Sequence, residues 1–198
     1  MADPREHAVI EYFRRSRETL ERAASEREIV AAILAIADRI TRSLRGGGKV
    51  MLAGNGGSAA DAQHIAAELL GRFTMERAPL AAIALTTDTS ALTAISNDYN
   101  FERVFERQIR GLGRNGDVFI AISTSGRSPN VLAALKAARE LGIVTVGFTG
   151  TGGAQMRALC DNVLVAPSDE TALIQQIHIT AAHAICSLVE RDMFAAPR

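Results

Sequence analysis

KVMLAGNGGSAADAQHIAAELLGRF, Lys49 to Phe73, changes its periodicity partway along. It opens as a short β-prone apolar run and passes through Gly54, Asn55, Gly56, Gly57 and Ser58. From there its apolar residues recur at helical spacing. A strand that enters a helix through a glycine turn is the repeating unit of a parallel α/β fold. Four more runs of this kind follow: "AAIALTT", "DVFIAIS", "IVTVGFTG" and "NVLVAP", with helical segments between them. Strands that are apolar throughout, rather than at alternate positions, belong in a sheet covered on both faces. The prediction is therefore an α/β fold, a three-layer α/β/α sandwich around a five-stranded parallel sheet.

Upstream of this core, residues 5–45 read as two helices. Val9, Ile10, Phe13 and Leu20 mark the apolar side of the first. The second is expected to start at Ser25 as N-cap, with Glu28 completing a capping box, and to end at Gly46–Gly48. At the other end, "ETALIQQIHITAAHAICSLVERDMF" predicts a long helix with Ile174, Ile177, Ala181, Ile185 and Leu188 on its apolar side. No linker or repeat divides the chain. It reads as one domain, 1–198, with a helical extension at 5–45 and the sandwich at 46–198. The extension exceeds what the sandwich needs, and its apolar face is expected to pair with another subunit.

Composition narrows the function classes. Of 198 residues 47% are hydrophobic, enough for a packed core. Lysine plus arginine and aspartate plus glutamate number 22 each, and no basic tract marks a nucleic-acid surface. The N-terminal stretch "MADPREHAVIEYFRR" is charged, and runs such as "VAAILAIA" are too short to span a bilayer. Cys160 and Cys186 lack metal-ligand spacing and read as buried thiols. These features predict a cytoplasmic protein with no nucleic-acid or membrane partner.

Two turns carry candidate binding chemistry. In parallel sheets, ligands sit beyond the carboxyl ends of the strands, where helix N-termini point. The turn Gly54–Ser58 is neither a P-loop nor a dinucleotide fingerprint, yet its glycines allow a ligand close to the backbone and to the following helix end. The second, "STSGRSPN", Ser123 to Asn130, places Ser128 as N-cap and Pro129 at the first helical position. One hydroxyl suffices to cap a helix. Ser123, Thr124 and Ser125 add three more beside Gly126, a set suited to the oxygens of a phosphate monoester, with Arg127 an optional helper.

Between and beyond these turns lie the chemically active side chains. Asp61, His64 and Glu68 follow one another at steps of three and four, so they share a helix face. A histidine and a carboxylate one turn apart can hold a divalent ion or act as an acid/base pair, and a solvated helix face has the same pattern. The last helix carries Gln175, Gln176, His178 and His183 in an apolar setting. Gln175 and His183 are two turns apart with about 80° of angular drift, close enough to face one cavity. Asn97 and Asp98 fall after the second strand, where Asp98 either caps the next helix or binds sugar hydroxyls, and Asp169 reads as a helix-start residue.

The stretches "GNGGSAADAQHIAAELLGRF", "SND", "GDVFIAISTSGRSPNV" and "IQQIHITAAH" together resemble the sugar isomerase (SIS) family, and within it the phosphoheptose isomerase branch. The resemblance covers nearly the whole chain, paired N-terminal helices included, and implies a flavodoxin-like sheet. It implies aldose–ketose isomerisation of sedoheptulose 7-phosphate to D-glycero-D-manno-heptose 7-phosphate, the first step of nucleotide-activated heptose synthesis for lipopolysaccharide or capsule. By this resemblance Asn55, Gly56, Gly57, Glu68, Asn97, Asp98, Ser123, Thr124, Ser125, Ser128 and Gln175 match substrate-binding positions. His64, Glu68, Gln175 and His183 match ligands of one zinc ion per subunit, and Glu68 and His183 match the acid/base pair. A homotetramer is implied as well. The chain departs from the family pattern at Arg127 and Gln176, where asparagine and glutamate are frequent. Two other readings share the fold: an adaptor of the DnaA initiator-associating type, and an isomerase or regulator answering to another sugar phosphate. An adaptor needs neither Glu68 nor His183, so their joint presence favours the enzyme.

Overall fold

The computed structural model describes residues 3–195. Two helices, α1 (Glu6–Ser25) and α2 (Arg27–Arg45), lead into the first unit, β1 (Val50–Gly54), α3 (Gly57–Leu70) and β2 (Ala82–Ala84). Then come α4 (Thr89–Asp98), a 3₁₀ turn (Phe101–Arg103), α5 (Val104–Leu112), β3 (Val118–Ile122) and α6 (Pro129–Glu140). The chain closes with β4 (Val144–Thr149), α7 (Ala154–Arg157), β5 (Asn162–Val165) and α8 (Thr171–Phe194). All five strands pair in parallel, in the order β2-β1-β3-β4-β5.

The predicted sandwich is present, and side-chain alternation along the strands explains its layers. Val50 and Leu52 of β1 join Val118, Ile120 and Ile122 of β3 in a core shared with α2, α3 and α8. Met51 and Ala53 point the other way, with Phe119 and Ala121, into a core shared with α5 and α6. Every residue of β1 and β3 is buried, which is why neither strand shows a polar face in the sequence. The edge strand β2 is only three residues long, shorter than its seven-residue apolar run, and Ile83 stays exposed there. Short edge strands offer little unpaired backbone to a second sheet.

The helices correct one local expectation, the capping box at the start of α2. Ser25 is the last residue of α1, not the N-cap of α2, and its hydroxyl donates to the Glu21 carbonyl. Glu26 alone separates the two helices and makes no side-chain cap bond. α2 packs into the core through Ile29, Ile36, Ala37 and Ile40. α1 behaves differently: it buries only Ser16, Thr19 and Ala23, while Val9, Ile10 and Phe13 are 55%, 59% and 70% exposed. α8 has the length and apolarity of a membrane-crossing helix, with a mean hydropathy of 1.4 over its most apolar 18 residues. Here Ile174, Ile177, Ala181 and Ile185 are spent in the core, and Glu190 is buried too.

The strand order has a functional consequence. From β1 the chain crosses to β2 on one side, whereas β3, β4 and β5 lie on the other. The turns after β1 and β3 therefore diverge from neighbouring strands and leave a crevice between them, the usual ligand position in such sheets. They are the two turns picked out from the sequence.

Candidate active site

The first turn and the second are tied across this crevice. Asn55 Nδ2 donates to Asn130 Oδ1 and Asn130 Nδ2 donates back to Asn55 Oδ1, both at 2.9 Å. Asn130 is buried, and its Oδ1 also accepts from the Val131 N–H. Sequence reasoning did not single out Asn130. A buried amide beside the apolar start of α6 is its local signal, but its partner lies 75 residues away.

The second turn gathers hydroxyls and N–H groups at the start of α6. Ser123 and Ser128 share a hydrogen bond between their hydroxyls at 2.9 Å. Ser128 occupies the N-cap position of α6 with Pro129 next, as expected, yet its hydroxyl does not cap the helix. The Ser125 hydroxyl accepts from the Arg127 N–H at 3.3 Å. Gly126 adopts φ +63°, and a Cβ there would fall 2.5 Å from the Gly153 Cα, so only glycine lets the turn lie this close to the end of β4. Among the described residues, the N–H groups of Thr124, Ser125 and Ser128 bond no protein acceptor. Free N–H groups and hydroxyls at a helix start are the donors that a phosphate uses.

α3 leaves the first turn without a side-chain cap. Gln175 reaches over from α8, and a Cβ on Gly57 would fall on its Nε2 atom, so the glycine makes room for that amide. Further along the same two helices, His64, Glu68 and His183 offer ligand atoms that all lie within 4.8 Å of one another. His64 Nε2 is 3.0 Å from His183 Nε2 and 3.2 Å from Glu68 Oε1. Two ligand atoms bound tetrahedrally at 2.0–2.1 Å stand about 3.3 Å apart, so these separations suit one zinc-sized ion. Two imidazoles and a carboxylate are also a donor set that suits zinc. The other candidate ligand, Gln175, is placed by its contact with Gly57.

The surroundings hold these groups in place. Phe73 stacks on His183 with centroids 5.8 Å apart and planes at 28°. Asp61, the third member of the polar stripe, has a buried Oδ2 without a hydrogen-bond partner; burial raises its pKa and nearby His64 partly offsets this. His178 is 1% exposed and donates through Nε2 to the Thr149 carbonyl at 3.2 Å. Burial lowers its pKa to about 4, against the opposing effect of that bond, so it is neutral near pH 7. His178 thus stays out of the triad and braces the end of β4. Both cysteines are free: burial pushes the thiol pKa of Cys160 and of Cys186 up to about 12, where neither is a nucleophile.

Not every candidate joins the site. Asn97 and Asp98 occupy the exposed last turn of α4 and bond to each other at 2.9 Å. Asp98 does not cap the next helical turn; Asn100 does, accepting from the Arg103 N–H. Asp169 is exposed, and Glu170 rather than Asp169 is the N-cap of α8. Gln176 faces away toward α1, where its amide meets the Tyr12 hydroxyl at 3.4 Å.

Known proteins share this fold. Residues 11–150 match the SIS domain family. A phosphoheptose isomerase of Bradyrhizobium sp. (strain ORS 278) is 59% identical over 198 residues, the full length of both chains. The solved phosphoheptose isomerase GmhA from Neisseria gonorrhoeae superposes with a TM-score of 0.88 at 44% identity, over 93% of this chain and 98% of that one. A phosphoheptose isomerase from Francisella tularensis gives 0.89 at 36%, over 93% and 97%. With the sheet order, the hydroxyl-rich turn and the His–Glu–His triad already in place, these matches show that the chain belongs to the SIS domain family and, within it, to the phosphoheptose isomerases.

Proposed function

We propose that the protein converts sedoheptulose 7-phosphate to D-glycero-D-manno-heptose 7-phosphate in the cytoplasm, supplying nucleotide-activated heptose synthesis for lipopolysaccharide or capsule. The observation that carries this is the convergence of His64, Glu68 and His183 beside a crevice whose second turn is lined with hydroxyls and free N–H groups. Ser123, Thr124, Ser125 and Ser128 hold the phosphate. Asn55, Gly56, Gly57 and Gln175 line the path of the sugar, with Asn97 and Asp98 as further hydroxyl partners. From Gly57 to His64 the rise along α3 is about 10 Å, comparable to an extended seven-carbon sugar phosphate. Anchoring the phosphate at one end fixes the carbonyl end at the triad, which turns remote binding into orientation of the reacting atoms.

Glu68 and His183 carry the proton transfers. One takes the proton from C1 beside the ketose carbonyl while the other serves the oxygens; the enediol then receives a proton at C2, giving the aldose. Glu68 Oε1 faces His64, which leaves its second oxygen for proton transfer. His64, Glu68, Gln175 and His183 would hold one zinc ion per subunit, and zinc there supplies positive charge against the oxyanion that develops as the proton leaves. The apolar face of α1, with Val9, Ile10 and Phe13 exposed, supports assembly into a homotetramer. His64 has a side chain 49% exposed in the protomer, so the triad lies open on that side.

Incubation of the purified protein with sedoheptulose 7-phosphate, followed by NMR of the sugar carbons, tests this reading. The expected product is the heptose aldose phosphate. Turnover only of other sugar phosphates would overturn the substrate assignment, and tight DnaA binding without any isomerase activity would replace the enzyme with an adaptor. Light scattering is expected to give a tetramer that Phe13→Ser dissociates; a wild-type monomer at all working concentrations would contradict the assembly.

A further inference from the structure

Behind the triad lies a buried ion pair that the proposed chemistry does not use. Arg77 and Glu190 meet at 3.1 Å with side chains 2% and 1% exposed. The Glu190 carboxylate accepts four further bonds, from the N–H groups of Phe73, Thr74 and Met75 and from the Thr74 hydroxyl, at 2.7–2.9 Å. Arg77 is equally saturated. Its Nη2 donates to the Glu68 carbonyl at 2.8 Å, and its Nη1 to the carbonyls of Leu69, Gly71 and Ala78 at 2.8–3.1 Å. The last carbonyls of a helix have no intrahelical partner, and here a buried guanidinium from the following loop supplies one to Glu68 and Leu69.

One end of this network touches Glu68, and the other reaches His183 through Phe73. Arg77 holds the main chain of Glu68 directly. Glu190 lies seven residues beyond His183 on α8, two turns on and nearly in line, so the carboxylate and the imidazole share one face. The Phe73 N–H that bonds Glu190 belongs to the residue whose ring stacks on His183. We infer that Arg77 and Glu190 are positioning residues that set the separation of Glu68 from His183 by clamping the C-terminal end of α3 to α8. A fixed fork of five N–H donors does this better than an ammonium would, because it engages carbonyls of α3 and a carboxylate of α8 together. Shifts of an ångström at ligand atoms weaken a metal centre, and groups behind the ligands are what prevent them.

The inference rests on the metal-centre reading above, and zinc affinity separates the two. Competition with a chromophoric chelator at 20 °C, on the intact protein, is the measurement. Glu190→Gln is expected to weaken zinc binding at least tenfold and to lower kcat with little change in KM, since the phosphate cradle stands on β3 and α6. Glu190→Asp keeps the charge but retracts it by one methylene, and is expected to fall between wild type and Glu190→Gln. Ile109→Ala, which opens a cavity on the opposite face of the sheet, serves as the stability-matched control and is expected to keep wild-type zinc affinity. Equal affinity in wild type, Glu190→Asp and Glu190→Gln would overturn the positioning role alone, as would an equal loss in Ile109→Ala. A wild-type protein that binds no zinc would overturn the metal-centre reading and this inference with it.

Discussion

The two ends of α3 are built on opposite principles. At its start, Gly56 provides no side-chain cap, and the N–H groups of Gly56 and Gly57 bond no protein acceptor among the described residues. At its finish, the carbonyls of Ala67, Glu68 and Leu69 are all engaged, by the Gly71 N–H, by Arg77, and by Arg77 with the Leu80 N–H. An open helix start with its positive dipole end is a place to receive an anionic ligand. A closed helix end is a place to hold geometry. His64 and Glu68 lie between the two, so on the proposed reading one helix receives substrate at one end and holds geometry at the other.

This contrast is open to direct attack. The largest effect is expected midway, where Glu68→Gln and His183→Gln should each lower kcat about a thousandfold while the fold and assembly stay intact; stopped assays and light scattering check both halves. Near-normal rates would remove the acid/base assignment. At the closed end, Glu190→Gln leaves the Arg77 charge buried without its counter-ion and should cost about 3–5 kcal/mol in urea unfolding. Burial works to raise the Glu190 pKa, but the N–H and hydroxyl donors overcome it and hold the group at about 2, below its usual 4.5. A lowered folded-state pKa contributes stability that is complete above pH 4.5 and is lost as pH falls toward 2. Unfolding curves across that window should show this loss in the wild type and a smaller one in Glu190→Gln.

The open end should respond in activity rather than stability. Gly57→Ala pushes a Cβ against the Gln175 amide, a flexible group that can move aside. It should leave the unfolding free energy within about 1 kcal/mol, since alanine is the better helix former, while kcat/KM falls roughly tenfold. Unchanged kinetics would show that Gln175 does not serve the reaction. The smallest expected effect distinguishes two roles for one hydroxyl. Ser128→Ala should change stability by less than about 0.5 kcal/mol, because the hydroxyl bonds Ser123 instead of capping α6, and should raise KM for the phosphorylated sugar. A loss near 1 kcal/mol with KM unchanged would restore the ordinary N-cap role.

Much of this was legible in the sequence because it is local. Strand runs, the glycine turn and the stripe His64–Glu68 are patterns within a few residues of each other, and the structure places them as read. Ser25 misled because serine followed by glutamate three residues later fits a capping box, whereas the helix break came one residue further on and used the Ser25 hydroxyl inward. Ser128 was placed at the right position but with the wrong hydrogen bond, since its partner Ser123 competes with the helix N–H groups. Asp98 resembled a cap, yet α4 runs through it and Asn100 takes that task. Asn130, Arg77 and Glu190 escaped notice for a different reason. Asn130 bonds Asn55 across 75 residues, Arg77 meets Glu190 across 113 and Phe73 meets Glu190 across 117, and no local period encodes a hydrogen bond across the fold. Glu190 in particular looks like an ordinary polar residue near a helix end until the loop 73–77 closes over it.

On the proposed reading His64, Glu68 and His183 form one metal centre on which the isomerisation depends. Titrating zinc into chelator-stripped protein while following conversion of sedoheptulose 7-phosphate tests it most directly. Activity is expected to be absent without zinc, to rise linearly, and to break at one zinc per subunit. Full turnover in protein shown to be free of metal would contradict it.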